Sequence, residues 1–189
     1  IAMMLLVLGL VASFFHLGHP ERAWRAAAKW RTSWLSREVI VLPAFMGTTF
    51  LYGVAHWLGI NPVLAELPSG APVNITAVLG TVGTVLAFAL YLCTGMIYGA
   101  VKAIREWATP LTPVNYTLIG LASGTLLASA LAAFTAPALA PGLARLALVA
   151  TLAAALARGC AFWRNQRLVP RTTLQTAIGV RHPRIVQKS

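Results

Sequence analysis

Acidic side chains are scarce in this chain, and charged residues of either sign are few. The 189 residues include 4 Asp and Glu against 15 Lys and Arg, and only 10% of the residues are charged. A soluble domain typically has about 25% charged residues, so the composition argues against one. The hydrophobic fraction of 58% indicates instead a protein with apolar surroundings.

Cysteine is also scarce, which limits the redox groups that the chain can hold. Cys93 and Cys160 form no Cys-x-x-Cys pair and have no metal-ligand spacing, whereas an iron–sulfur cluster needs a set of cysteine ligands. We expect both to be small, buried, unpaired residues. A haem held between membrane helices needs two axial ligands at one depth. His16 and His56 lie toward opposite ends of the apolar run over residues 38–58, so they cannot share a haem. The sequence therefore predicts no haem and no iron–sulfur cluster in this chain.

Long apolar runs are abundant, and the basic residues are sorted between their connections. Of the 15 Lys and Arg residues, 14 fall in every second connection, and Arg145 is the exception. Cytoplasmic loops of membrane proteins retain Lys and Arg in this way. The net charge of +11 is compatible with nucleic-acid binding, but the charges flank apolar spans instead of forming a basic face. We predict a multi-pass membrane protein, with the lipid bilayer and no nucleic acid as partner.

The apolar segments predict an all-α, polytopic transmembrane helix bundle that forms a single integral membrane domain over residues 1–189. A full crossing takes about 20 residues, so the first segment is expected to be the second half of a span. Because the chain begins inside an apolar run, we interpret it as an interior fragment of a longer protein. The segments are A, residues 1–15; B, 38–58; C, 73–101; D, 113–134; and E, 142–162.

Local signals mark the helix starts and the loops. Residues 59–72 contain Pro, Gly and Asn in positions typical of a loop. Segments C and D are rich in small residues, including 80–83 and 120–124, which let membrane helices approach closely. Three side chains are expected to cap helices: Ser36 in segment B, Asn74 in segment C, and Thr112 in segment D, where Pro113 follows at the first helical position.

Residues 17–37 form an interfacial connector between segments A and B. The connector has basic residues at helical spacing and is rich in tryptophan. This pattern predicts a short helix lying in the membrane interface, with its Trp rings at headgroup level. Two interpretations are open. The connector is an aromatic belt beside cytoplasmic charge, or it is such a belt and also forms the wall of a ligand site. The residues concerned are Arg22, Arg25, Lys29, Trp24, Trp30 and Trp34.

His16, at the membrane boundary where segment A ends, is the best candidate for proton-coupled chemistry. An imidazole can donate to a quinone oxygen and accept its proton as electrons leave. Arg22 could stabilise negative charge that develops on the ring oxygens, while Trp24 and Trp30 would supply flat apolar walls. A lone histidine at a boundary is more often an interfacial side chain, so spacing alone leaves both interpretations open.

The run from His16 to Glu38 resembles the membrane-anchor subunit of the dimethyl sulfoxide reductase family. That family has a span ending in His-Leu-Gly-x-Pro-x-Arg-Ala, then a connector, then Ser-x-Leu-Ser-x-Glu at the next helix. The run from Arg105 to Pro113 also resembles one branch of the family. The matching positions are His16, Leu17, Gly18, Pro20, Arg22, Ala23, Ser33, Leu35, Ser36 and Glu38, with the connector length kept.

This resemblance implies a complex of three subunits for anaerobic respiration in the bacterial inner membrane. Its other members would be a molybdopterin catalytic subunit and a four-cluster iron–sulfur subunit. The anchor, with about eight spans of which this chain covers five, would oxidise menaquinol and pass electrons to the iron–sulfur subunit. Menaquinone or ubiquinone would be an exchangeable substrate, and the family's quinol-site histidine corresponds to His16. Arg22 and Glu38 match the motif without a defined role.

Three alternatives stay open at this point. The basic connections place the His16 end on the cytoplasmic side, whereas an exported sulfoxide reductase would need that end outside. Related anchors serve cytoplasm-facing molybdoenzymes that oxidise sulfite and reduce quinone. A transport component usually has ionisable residues near the membrane midplane, and segments B, C and D have none there. A structural anchor without a redox role is disfavoured by the His16 motif.

Overall fold

The computed structural model describes residues 2–15, 18–169 and 179, and its architecture is an all-α bundle, as predicted. Helices that follow one another in the sequence pack side by side, so that α2 lies against α3, α3 against α4, and α4 against α5. The helices are α1 (Ala2–Phe14), α2 (Trp34–Trp57), α3 (Ile75–Gly99), α4 (Leu111–Thr135) and α5 (Ala140–Gln166).

Four of these helices, α2 to α5, are long and apolar enough to cross a membrane. The shortest of them has 24 residues and measures about 36 Å at ~1.5 Å per residue, which exceeds a hydrocarbon core of about 30 Å. Helix α1 is shorter, with an apolar stretch over Met3–Ser13. Both α2 and α5 extend beyond the predicted segments, since α2 begins at Trp34 and α5 ends at Gln166.

The interior of the bundle is built from small side chains, and the large apolar side chains point outward. Within the described residues, the buried hydrophobic positions are all Ala or Cys. Close helix packing through small residues is typical of membrane proteins, and a bundle with Leu, Val and Phe on its surface needs lipid around it. Cys93 is buried as predicted, but Cys160 is exposed, so the expectation of a buried residue there is wrong.

The first turns of α2 and α4 differ from the predicted caps. Ser33, in an extended conformation, is the cap of α2, and its hydroxyl accepts a hydrogen bond from the Ser36 amide at 3.3 Å. Ser36 is therefore inside the helix and buried. Pro110 occupies the cap position of α4, and the hydroxyl of Thr112 donates to the carbonyl of Trp107 at 2.7 Å. Neither Ser36 nor Thr112 is the cap of its helix.

The connection between α2 and α3, predicted as a loop over residues 59–72, contains a β-hairpin. Strand β1 (Val63–Glu66) pairs antiparallel with β2 (Pro72–Asn74). Gly70 turns the chain with a φ of 78°, a conformation that favours glycine. Asn74 does occupy the cap position of α3, but its side chain makes no capping bond. Asn61 replaces it, because its Oδ1 accepts from the amide and hydroxyl of Thr76 at 3.3 and 2.8 Å.

The basic connections meet at one end of the bundle. Glu38, near the start of α2, accepts a hydrogen bond from Thr94, near the end of α3, at 2.5 Å. The Arg105 guanidinium donates to the Val169 carbonyl at 2.6 Å, and the Arg164 guanidinium donates to the Arg105 carbonyl at 3.2 Å. We call residues 20–37, 100–110 and 164–169 the basic end. The opposite end, residues 58–74 and 136–139, we call the hairpin end.

This arrangement predicts the outcome of cysteine labelling. In a background with Cys93 and Cys160 replaced by Ala, Arg105→Cys and Ser69→Cys should react with a membrane-impermeant maleimide from opposite sides, because they lie at opposite ends of spanning helices. Intact cells and inverted vesicles provide the two directions. Lys102→Cys, an exposed position in the same loop as Arg105, is the matched control. Labelling of Arg105→Cys and Ser69→Cys from one side would refute the topology.

Candidate functional site

The connector contains three of the four predicted quinone-binding residues. Its predicted short helix is present in 3-10 form over Pro20–Lys29, and it begins with a bond from the Arg22 amide to the His19 carbonyl at 3.0 Å. Arg22 and Trp24 lie on this helix, and Trp30 directly follows it. The fourth residue, His16, lies outside the described residues together with Leu17. Its place beside the connector stays a prediction.

The three described residues are on an open surface and are not enclosed by the protein. The Arg22 side chain is 60% exposed, and Trp24 and Trp30 are 71% and 53% exposed. Arg22 lies 3.7 Å from a carboxylate oxygen of Glu21, and an ion pair between two exposed groups is weak. The guanidinium is therefore available to a ligand that approaches from outside.

Each of the two tryptophan rings is paired with a neighbouring guanidinium. The Arg25 guanidinium lies 5.6 Å from the ring centroid of Trp24, and that of Arg31 lies 5.3 Å from the ring of Trp30. A cation over an indole face is attractive, and Trp rings are enriched at the membrane–water interface. These side chains suit a helix in the membrane interface, and the interfacial position of the connector stays a prediction.

Arg37 fixes the end of the connector to the start of α2. Its guanidinium donates to the carbonyls of Trp30 and Arg31 at 3.0 and 2.9 Å. The same group lies 4.2 Å from the ring centroid of Trp34. The backbone around Trp30 is therefore held against the basic end of α2. Arg37 is not among the predicted site residues, although it falls between the matched motif positions Ser36 and Glu38.

Glu38 is a half-buried carboxylate at this end of the bundle. Its Oε1 accepts the hydrogen bond from the Thr94 hydroxyl, which links the first turns of α2 to the last turns of α3. Glu38 is the fifth residue of α2 and lies beyond its first turn, which contains no acidic residue. Glu38 matches the sequence motif, but its partner lies 56 positions away, and local sequence patterns do not reveal such a pair.

A cavity of about 590 Å³ lies at the basic end, between α3, α4, α5 and the α3–α4 loop. An aromatic cluster forms part of its wall: the rings of Tyr98 and Tyr116 stack with centroids 5.7 Å apart, and Trp107 meets Tyr98 edge-on at 5.4 Å. Glu106 and Arg158 are the charged residues of the lining. No sequence motif marks this cavity, which was not predicted.

Asn115 is the buried polar residue of the cavity lining. It is 6% exposed, and its Nδ2 donates to the Leu111 carbonyl at 2.8 Å. Its Oδ1 is buried without a hydrogen-bond partner, whereas buried polar atoms are almost always paired. A polar side chain inside a membrane span is the sequence signal that could have identified this site.

The described part of the chain contains no candidate metal site. Across residues 2–15, 18–169 and 179, no three His, Cys, Asp or Glu side chains are grouped so that they could hold a metal ion. The absence of a haem or an iron–sulfur cluster stays a prediction. His56, the second histidine weighed for a haem, lies in the last turn of α2 at the hairpin end, with its ring 4.5 Å from that of Tyr52.

Comparison with known proteins gives three findings. The chain is 50% identical over 189 residues to a sulfite dehydrogenase subunit of Allochromatium vinosum, and the match covers all of this chain and 58% of the relative. No solved structure matches the chain. The family model of the DMSO reductase anchor subunit (DmsC) matches residues 1–179. Since this match includes the connector and all five helices, the chain belongs to the DMSO reductase anchor subunit family.

Proposed function

We propose that this chain is part of the membrane anchor of a molybdoenzyme complex and exchanges electrons between a quinone and an iron–sulfur subunit. The observation that carries the proposal is the family match over residues 1–179. The bundle supports it, because four apolar spans keep the protein in the membrane where quinones dissolve. The chain spans 58% of the length of its sulfite dehydrogenase relative, so the activity proposed is that of the whole anchor.

His16 and the connector together provide the groups that a quinone headgroup requires. His16 exchanges protons with the ring oxygens, and Arg22 stabilises the negative charge that develops on them. Trp24 and Trp30 offer apolar faces to the ring. The exposure of these Trp side chains supports a site that a quinone enters sideways from the bilayer.

We propose that electrons flow from the partner to the quinone, because the 50% identical relative is named as part of a sulfite dehydrogenase. Sulfite and water give sulfate, two protons and two electrons, and the quinone takes up two electrons and two protons to become quinol. The charge sorting supports a cytoplasmic basic end, which suits a partner enzyme on that side. The opposite direction, menaquinol oxidation by a complex with an exported sulfoxide reductase, would need the basic end outside.

The assembled complex tests both the function and its direction. Purified with its native partners, it should reduce a soluble quinone analogue when sulfite is added, and it should not oxidise quinol when dimethyl sulfoxide is added. Sulfite oxidation with an artificial dye as acceptor is the control for intact catalytic partners. A complex that reduces the dye but no quinone would refute the proposal, and sulfoxide-dependent quinol oxidation would reverse the direction.

A further inference from the structure

We propose that the cavity at the basic end binds the headgroup of phosphatidylethanolamine, with Arg158 on the phosphate and Glu106 and Asn115 on the ammonium group. This site is separate from the proposed quinone site on the connector, because its lining comes from α3, α4, α5 and the α3–α4 loop.

The buried Asn115 indicates that the ligand brings a hydrogen-bond donor. The amide nitrogen of this side chain is already used on the Leu111 carbonyl, so the atom left without a partner is Oδ1, an acceptor. An unsatisfied buried acceptor is costly, and an N–H or O–H group of a ligand in the cavity would remove that cost. A phosphate or a quinone in its oxidised form has only acceptors to offer here.

The two charged residues of the lining define the rest of the headgroup. Arg158 comes from α5 and Glu106 from the α3–α4 loop. Neither forms an ion pair with another residue in the described ranges. A guanidinium is well suited to phosphate oxygens, and a carboxylate attracts an ammonium. A zwitterionic headgroup matches both charges, whereas an anionic headgroup would be repelled by Glu106 and a neutral quinone ring would use neither.

The depth of the cavity favours an amphiphile over a soluble ligand. Trp107 and Glu106 lie in the loop at the basic end, whereas Tyr91 lies seven residues before Tyr98 in α3. That separation is about 10 Å along the helix axis at ~1.5 Å per residue. The cavity thus runs from the headgroup level into the apolar layer, which is the depth range that a lipid occupies with its headgroup and the start of its chains.

Lipid analysis of the complete anchor in its complex tests the proposal. After purification in mild detergent, phosphatidylethanolamine should be retained in a fixed ratio to protein and quantified by mass spectrometry. Arg158→Gln and Glu106→Gln should each lower the retained lipid about tenfold, the effect of losing one charge-assisted hydrogen bond. Arg145→Gln is the matched control, since Arg145 is an exposed arginine of the same helix near the hairpin end, and it should change nothing.

Add-back of defined lipids distinguishes the possible ligands. The delipidated complex should regain thermal stability with phosphatidylethanolamine but not with phosphatidylglycerol or menaquinone, and Asn115→Leu should abolish this gain. Equal recovery with phosphatidylglycerol would overturn the assignment of the ammonium contacts. Recovery of thermal stability with menaquinone and not with phosphatidylethanolamine would overturn the lipid site. Equal lipid retention in Arg158→Gln and Arg145→Gln would also overturn it. Quinone turnover is not read in either measurement, so this result is independent of the proposed electron transfer.

Discussion

Replacing His16 by Arg should abolish quinone-coupled turnover in an assembled complex, while the catalytic partners keep their activity with an artificial dye. A guanidinium still donates hydrogen bonds but does not release its proton, so the variant keeps a donor and loses the proton exchange that the quinone needs. General acid–base catalysis contributes about 10²–10⁴-fold to a rate, and we expect a loss in that range. The measurement is the ratio of quinone to dye activity in complexes of equal protein composition.

His56→Ala is the matched control for this prediction. His56 is an exposed histidine in the last turn of α2, at the hairpin end, and its ring contacts Tyr52. Its removal should leave the activity ratio nearly unchanged. If the His16→Arg complex assembled and retained near-normal quinone turnover, the site assignment would be wrong, and His16 would be an interfacial side chain without a catalytic role.

Gly95→Ala should strongly destabilise the contact between α3 and α4. A Cβ atom at this position would lie 2.6 Å from the Cα and 3.0 Å from the Cβ of Pro113. The obstacle is backbone, which cannot rotate away as a side chain can, so the two helices must separate. Overpacking of this kind costs about 1–3 kcal/mol. The expected result is a lower Tm of the purified complex and less protein in the membrane.

Gly53→Ala separates this clash from the general effect of replacing glycine. Gly53 lies in the spanning helix α2, and a Cβ there would meet nothing within 4 Å. Alanine is favoured over glycine in a helix by about 1 kcal/mol, so this variant should be as stable as the parent or more so. A Gly95→Ala protein with the stability of Gly53→Ala would show that α3 and α4 do not approach as closely as described.

The elements that the sequence predicted correctly are those with signals extending over many residues. Four apolar runs are long enough to define spanning helices without any tertiary information, and the sorting of Lys and Arg defines which connections share an end. The helix starts were predicted less well, because a single capping bond depends on the exact path of the chain. Ser33 and Ser36 are equally suitable residue types, and only the observed bond identifies Ser33 as the cap of α2.

The two candidate sites also differ in how far the sequence predicts them. The connector was found from its own sequence, since the basic and Trp residues that characterise it are neighbours along the chain. The cavity at the basic end was missed, because its lining residues come from three helices and become neighbours only after packing. The two predicted small-residue stretches also differ: a Cβ at Gly120 would lie 2.5 Å from the Tyr91 ring, whereas Gly80 and Gly83 make only ordinary contacts, with nearest atoms at 3.5 and 3.7 Å. The close approach at Gly95 lies outside both stretches and depends on the packing of α3 against α4.

The hydrogen bonds around Arg105 have a consequence for the order of biogenesis. Both the side chain and the carbonyl of this residue bond to the end of α5 and the residues after it, since the side chain donates to Val169 and the carbonyl accepts from Arg164. A ribosome synthesises the α3–α4 loop well before those partners. While α3 and α4 insert, the loop lacks these restraints, and its final conformation forms only after translation has passed Val169. Nascent chains arrested upstream of Arg164 should therefore contain this loop in a protease-sensitive form.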